Sequence, residues 1–145
     1  MLNGHGGNIA ALETIITELT IDLRLPLAGG TYWQIAADSI RKILEHQGQV
    51  LHACEAETSM LQALSPETVM PLDASLKTAL VPGLSAIEGV NPGVYRWQQL
   101  QTRSRLGLIG EAWAATPEKG QRLLDAISCD VADALSNQAL WEAPI

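Results

Sequence analysis

Two short stretches carry side chains that could do chemistry. The first is Asn3-Gly4-His5-Gly6-Gly7-Asn8, with one imidazole, two short amides and three glycines in six residues. Glycines let a backbone turn through positive φ and approach a ligand closely. An apolar helical pattern follows from Ile9 to Ile16, so the stretch reads as a strand-to-helix turn. Asn8 stands where an N-cap is expected. The N–H groups of Gly6 and Gly7 then lie at the positive end of a helix, which favours an anion. A neutral imidazole at His5 could ligate a metal.

The second stretch is His52-Ala53-Cys54-Glu55-Ala56-Glu57-Thr58-Ser59. His52 could move protons, Cys54 beside it could act as a nucleophile, and His52, Cys54, Glu55 and Glu57 are all metal-ligand types. A structural zinc site would want more sulfur or imidazole donors than this run holds. Glu55 and Glu57 would point in different directions on a helix, so one shared role is not expected. Capping and a solvated helix start would call for much the same residues. Glycine turns are equally open in meaning, and an anion-binding module on Gly4, Gly6 and Gly7 is a further reading.

The elements that must position these groups alternate in period. Met1-Leu2 is a strand stub. Ile9, Leu12, Ile15, Ile16 and Leu19 share a helical face, which predicts a helix from about Asn8 to Leu19. Ile21, Leu23, Leu25 and Leu27 alternate with Thr20, Asp22, Arg24 and Pro26, which predicts a strand over residues 20–27 beside the opening stub. That is a β-α-β unit, which places ligand groups at the C-terminal ends of its strands. A second helix is expected from Thr31 to His46, a strand stub at Val50-Leu51, and a helix from Ala56 to Leu64 that stops before Pro66. Residues 69–93 are rich in Pro and Gly and read as a long connection. Val94 to Trp97 is strand-like, and Gly107 to Gly110 is a turn. Thr116, Pro117 and Glu118 start a helix with a cap, a first-position proline and an acidic first turn. Its buried face is Leu123, Leu124, Ile127, Val131, Ala134 and Leu135. The tail from Asn137 is expected to be loose.

At 145 residues the chain is long enough for one domain with its own core. Hydrophobic residues make up 47% and charged residues 17%, which separates it from disordered chains. The net charge of -7 and the lack of a Lys/Arg run argue against nucleic-acid or anionic-membrane partners. No apolar run approaches the ~18 residues of a membrane span, and no signal-peptide pattern opens the chain. Cys54 and Cys129 suggest no disulfide framework. A cytoplasmic protein is the expectation.

Both chemical stretches resemble, in this order, signature segments of the creatininase (creatinine amidohydrolase) family. Asn3 to Asn8 matches its Asn-Gly-His-Gly-Gly-Asn motif. His52 to Leu61, then Pro66 and Val69, is similar to its His-Ala-Gly-Glu-x-Glu-Thr-Ser-Met-Leu segment, with Cys54 in place of Gly. Gly107 to Gly120 resembles Gly-x-x-Gly-Asp-Pro followed by Ala-Thr-x-Glu-Lys-Gly, with Glu111 and Ala112 departing from Asp-Pro. The resemblance runs from residue 1 to about residue 135. It implies an α/β fold, three-layer α-β-α with a mostly parallel sheet. It also implies that His5 and Glu55 ligate metal and that His52 transfers protons at the substrate. Members of the family carry a Glu-x-His pair and a bridging Asp before the first motif. Nothing like these occurs here, so residues 1–145 are expected to be the C-terminal portion of one creatininase-like domain, incomplete at its N-terminus. The function implied is metal-dependent hydrolysis of a small cyclic amide or another amide C–N bond. Zinc or manganese would be held weakly by this chain alone. Expected partners are a small-molecule amide and an N-terminal half chain or a second copy. The other reading is a non-catalytic remnant or a partner-binding subunit of a split protein.

Overall fold

The computed structural model describes residues 1–73, 75–76, 96–104 and 106–142, leaving aside the Arg103 side chain. Strand β1 (Leu2–Asn3) leads through a 3-10 turn, Gly6–Asn8, into α1 (Ile9–Leu23) and on to β2 (Gly30–Thr31). The two strands are parallel, with Leu2 opposite Gly30 and Asn3 opposite Thr31. This is the expected β-α-β unit, but its second strand lies later than residues 20–27.

The helix swallows the start of the predicted strand. Ile9, Leu12, Ile16 and Thr20 are its half-buried positions, spaced three or four apart as one helical face requires. Ile21 and Leu23 stay on this helix at 68% and 54% exposure, so their alternation marked no sheet face. Arg24 then closes α1 in the left-handed conformation with φ 51°. Leu25 and Leu27 are irregular.

The stretch from Thr31 to His46 is two helices rather than one. Helix α2 (Tyr32–Ile35) and α3 (Ala37–Ile43) meet at Ala36, whose φ of -97° and ψ of 23° break the ladder. Helix α4 (Glu55–Leu64) stops before Pro66, as expected. The connection over residues 69–93 and the first half of the Val94–Trp97 segment lie mostly outside the described residues, and Arg96 and Trp97 are not strand. Helix α5 (Leu100–Arg103) and a 3-10 turn at Ala112–Ala114 precede α6 (Pro117–Ser136). Thr116 caps α6 through its Oγ1, which accepts from the Lys119 N–H at 3.1 Å. The tail carries one more turn, α7 (Ala139–Glu142), started by Asn137 Oδ1 accepting from the Ala139 N–H.

The core gathers where α4 and α3 pack against α6. Ala36, Ile40, Leu44, Cys54, Ala56 and Leu123 are its buried members. On the expected α6 face Leu123 is fully buried, Leu124, Ile127, Val131 and Ala134 are half-buried, and Leu135 lies at the open end. Helix α1 buries no residue at all. Among the described residues no helix is long and apolar enough to cross a membrane. The described strands number two, so the three-layer arrangement is not formed by these residues.

Candidate active site

The His5 turn is built around Asn3. This side chain, 7% exposed, donates through Nδ2 to the Thr31 hydroxyl and to the His5 carbonyl, both at 3.0 Å. Its Oδ1 accepts from the His5 N–H at 3.0 Å and from Asn8 Nδ2 at 3.5 Å. One buried amide thus joins the two strands to the turn at their C-terminal ends. Asn8 is not the side-chain cap that its position suggested. The 3-10 turn sets the cap three residues earlier, at His5, whose Nδ1 accepts from the Gly7 N–H at 3.1 Å.

His52 lies on the loop between α3 and α4. Its N–H donates to the Ile109 carbonyl at 3.1 Å, and the Ile109 N–H donates back to the His52 carbonyl at 2.7 Å. The Val50-Leu51 stub therefore leads into a single antiparallel bridge rather than a strand. The imidazole of His52 is exposed on this pinned backbone. Ala53 follows with φ 48°, a left-handed conformation that costs a residue with a Cβ about 1–2 kcal/mol. Glu57 offsets that cost, since its Oε2 accepts from the Ala53 N–H at 2.6 Å.

Cys54 stands where the family motif has Gly, yet its φ of -94° is open to any residue. Its thiol is fully buried and accepts from the Leu51 N–H at 3.3 Å. A nucleophilic role would need it to leave the core. The glycine that this corner requires is Gly110, at φ 121°. A Cβ there would come within 2.7 Å of Gln47 Oε1 and 2.8 Å of the Cys54 Cβ.

Glu55 and Glu57 point apart, as the helix geometry required. Glu55 is fully buried. Its Oε1 accepts from Lys119 Nζ at 2.5 Å and from the Glu45 N–H at 3.1 Å, and its Oε2 accepts from the His46 N–H at 3.1 Å. Lys119 is itself 4% exposed and spends its remaining donors on Glu45 Oε2 at 3.1 Å and the Ala114 carbonyl at 2.9 Å. The hydrogen bond and charge of Lys119 hold the exposed Glu45 carboxyl below its ordinary range. Beside this cluster the His46 ring lies 4.7 Å from the Trp113 ring, and Trp113 Nε1 donates to the Glu111 carboxylate.

A divalent ion does not fit these residues as they stand. Glu55 already neutralises an ammonium, and both its oxygens are engaged. The Nδ1 of His5 is engaged by the Gly7 N–H at 3.1 Å. Among the described residues, no three His, Cys, Asp or Glu side chains come together to hold a metal, and His5, His52 and Glu55 form no such group.

The residue that the sequence reading passed over is Lys119. Its signal was its position. A cation in the first turn of a helix faces the positive end of the dipole, so it needs a carboxylate from elsewhere. Gln47 carried no comparable signal. Its Oε1 accepts from the Glu55 N–H at 3.3 Å and the Glu111 N–H at 2.9 Å.

Two of the three motifs, His52–Leu61 and Gly107–Gly120, meet in this structure, since the α4 N-terminus, the His52–Ile109 bridge and the α6 N-terminus share one corner, while the Asn3–Asn8 turn is fastened to β1 and β2. One curated relative, the mycofactocin precursor peptide peptidase of Mycobacterium ulcerans (strain Agy99), is 27% identical over 147 residues. The match covers 97% of this chain and 47% of the relative, so the chain spans about half the length of the relative it matches. No solved structure matches. The family model described as Creatininase: Creatinine amidohydrolase matches residues 1–135, and the chain belongs to that family.

Proposed function

We propose that the chain serves the hydrolysis of an amide C–N bond, with His52 as the group that carries protons to and from the nitrogen leaving group. The observation behind this reading is the exposed imidazole of His52 on a backbone fixed by two hydrogen bonds to Ile109. Family membership points to a creatininase-type hydrolase, and the names of the family and of the relative support a small cyclic amide or a peptide bond as the substrate. Any ion used in this chemistry would have to find its carboxylate elsewhere than at Glu55. The test is ring opening of creatinine and other cyclic amides to the corresponding open-chain acids, and release of a free amine from linear amides and short peptides. His52→Gln should lower the rate by about 10²–10⁴-fold, the usual worth of a positioned proton-transfer group. An unchanged rate in His52→Gln, or a wild type inert on every amide class when a strand-bearing partner segment is supplied, defeats the reading.

A second reading rests on a separate observation. Ile15, Leu19 and Ile21 of α1 are 44%, 37% and 68% exposed, and Leu2 of β1 is 60% exposed. Parallel strands are ordinarily covered on both faces and carry no bare edge. We propose that β1 and β2 belong to a mostly parallel sheet in a three-layer α-β-α domain, with a strand-bearing segment or a second copy seated on this face. Light scattering of the wild type and of Ile15→Glu/Leu19→Glu decides it. A wild type that stays monomeric with every candidate partner sinks the idea.

A further inference from the structure

We infer that the Lys119–Glu55 ion pair, and not a divalent ion, is the electrostatic centre of the α4 N-terminus, and that Lys119 is a positioning residue for His52. The ion-pair half of this is independent of the proposed function; only the naming of His52 as the group positioned rests on it.

The network is closed. The ammonium of Lys119 has three donors, and its acceptors are Glu55 Oε1, Glu45 Oε2 and the Ala114 carbonyl. The carboxylate of Glu55 receives that ammonium and two backbone N–H groups. A carboxylate that accepts several charge-assisted bonds in a dry site has little left to offer a metal. A divalent ion at Glu55 would also have to displace a buried cation of the same sign.

The geometry then runs to His52 by short steps. Glu55 fastens the main chain of Glu45 and His46. Gln47, the next residue, closes on the Glu55 N–H and the Glu111 N–H through one oxygen. The loop from Gln47 to Cys54 is thus tied at its base by Glu55 and at His52 by Ile109. Lys119 is delivered to this base by the α6 cap at Thr116, whose N–H also donates to Ser59 Oγ at 3.2 Å. Without the ammonium, Glu55 would be a buried charge with only neutral donors, and the base of the loop would open to admit water.

The test compares Lys119→Met, Glu55→Gln and the double variant Lys119→Met/Glu55→Gln with the wild type. Lys119→Met should lower the Tm by about 10 °C or more, the scale expected when one partner of a buried pair is removed from a domain of this size. The double variant should regain at least half of that loss, because no charge is left unpaired and the side-chain amide oxygen at position 55 still accepts from the main chain of Glu45 and His46. A double variant no more stable than Lys119→Met, including one that does not fold, overturns the ion-pair assignment. Calorimetry with zinc or manganese gives an independent arm. A site that binds either ion in the wild type and loses it in Glu55→Gln overturns the assignment as well; no Glu55-dependent binding is expected.

The positioning role is read from the ring resonances of the three histidines, assigned with His52→Gln and recorded at one pH and a temperature below every melt. The His52 resonance should move in Glu55→Gln and in whichever Lys119 variant folds. A His52 resonance unmoved in all folded variants would make the pair merely structural. No arm depends on turnover, so a failure of the amide-hydrolase reading is seen separately.

Discussion

Gly120 meets Ser59 with no room for a side chain between them. A Cβ built on Gly120 would overlap the Ser59 carbonyl, and the Met60 N would lie 2.9 Å away. These are main-chain atoms of α4, which cannot swing aside as a side-chain tip can. The contact sets how closely α6 approaches α4, and with it the reach of Lys119, the residue just before Gly120, to Glu55.

Gly120→Ala should therefore cost about 3 kcal/mol or more, at the upper end for overpacking a dense interface. Gly48→Ala is the control, since nothing lies within 4 Å of a Cβ there. It should stay within about 0.5 kcal/mol of the wild type. Urea melts with unchanged m-values would check both. A Gly120→Ala protein as stable as Gly48→Ala would contradict the close approach.

Much of this fold can be read in the sequence where local chemistry decides it. The Thr116-Pro117-Glu118 start of α6, the stop before Pro66 and the separate directions of Glu55 and Glu57 each follow from one helical turn. The failures come where a longer register or a distant partner decides. Ile21 to Leu27 alternate like a strand, but the 3.6-residue register begun at Ile9 carries on through Leu23. Asn8 looks like a cap, but an inserted 3-10 turn gives that role to His5. The family resemblance marked His52 and Glu55 as site residues. It could not show that Glu55 is already satisfied, because its partner Lys119 is 64 residues away in sequence.

Ala53→Gly should stabilise the protein. Ala53 holds φ 48° between the exposed His52 and the buried Cys54. Relief of left-handed strain exceeds the extra freedom that Gly gives the unfolded chain, for a net gain of about 0.5–1 kcal/mol. Thermal melts measure it directly. A loss of stability would show that the Glu57 and Thr58 bonds to Ala53 already over-determine this turn.

Asn3→Ala removes the amide that joins β1, β2 and the His5 turn. The Thr31 hydroxyl is left buried without that donor, and the His5 N–H and carbonyl lose their side-chain partner. At about 1 kcal/mol for each net bond lost, the cost should be about 2–3 kcal/mol. Amide exchange at His5 should quicken more than exchange at Leu123, in the core of α6. Equal effects at both sites would mean that Asn3 holds the whole fold and not this turn.

Tyr32 sets an alkaline limit. It starts α2 and packs against the core that contains Cys54. Burial first, then the electrostatic influence of Glu57 and of Cys54, pushes its phenol above the ordinary tyrosine range. The sign follows from proton binding. Below the unfolded value of about 10 both states keep the proton, and Tyr32 adds no pH dependence. Above it the unfolded chain releases the proton while the folded chain retains it, so stability falls as pH rises towards the raised folded value. The slope should be well under the about 1.4 kcal/mol per pH unit of a fully coupled proton, because the ring is only half-buried and water screens it. Tyr32→Phe has no proton to lose. Between pH of about 9 and 11, urea melts should show the wild type losing more stability than Tyr32→Phe, with the two converging near neutrality. The chain has two tyrosines, so absorbance at about 295 nm, where phenolate absorbs, should also show one fewer late-titrating phenol in the variant. Parallel stability curves across that window would mean that the Tyr32 hydroxyl reaches water in the folded protein.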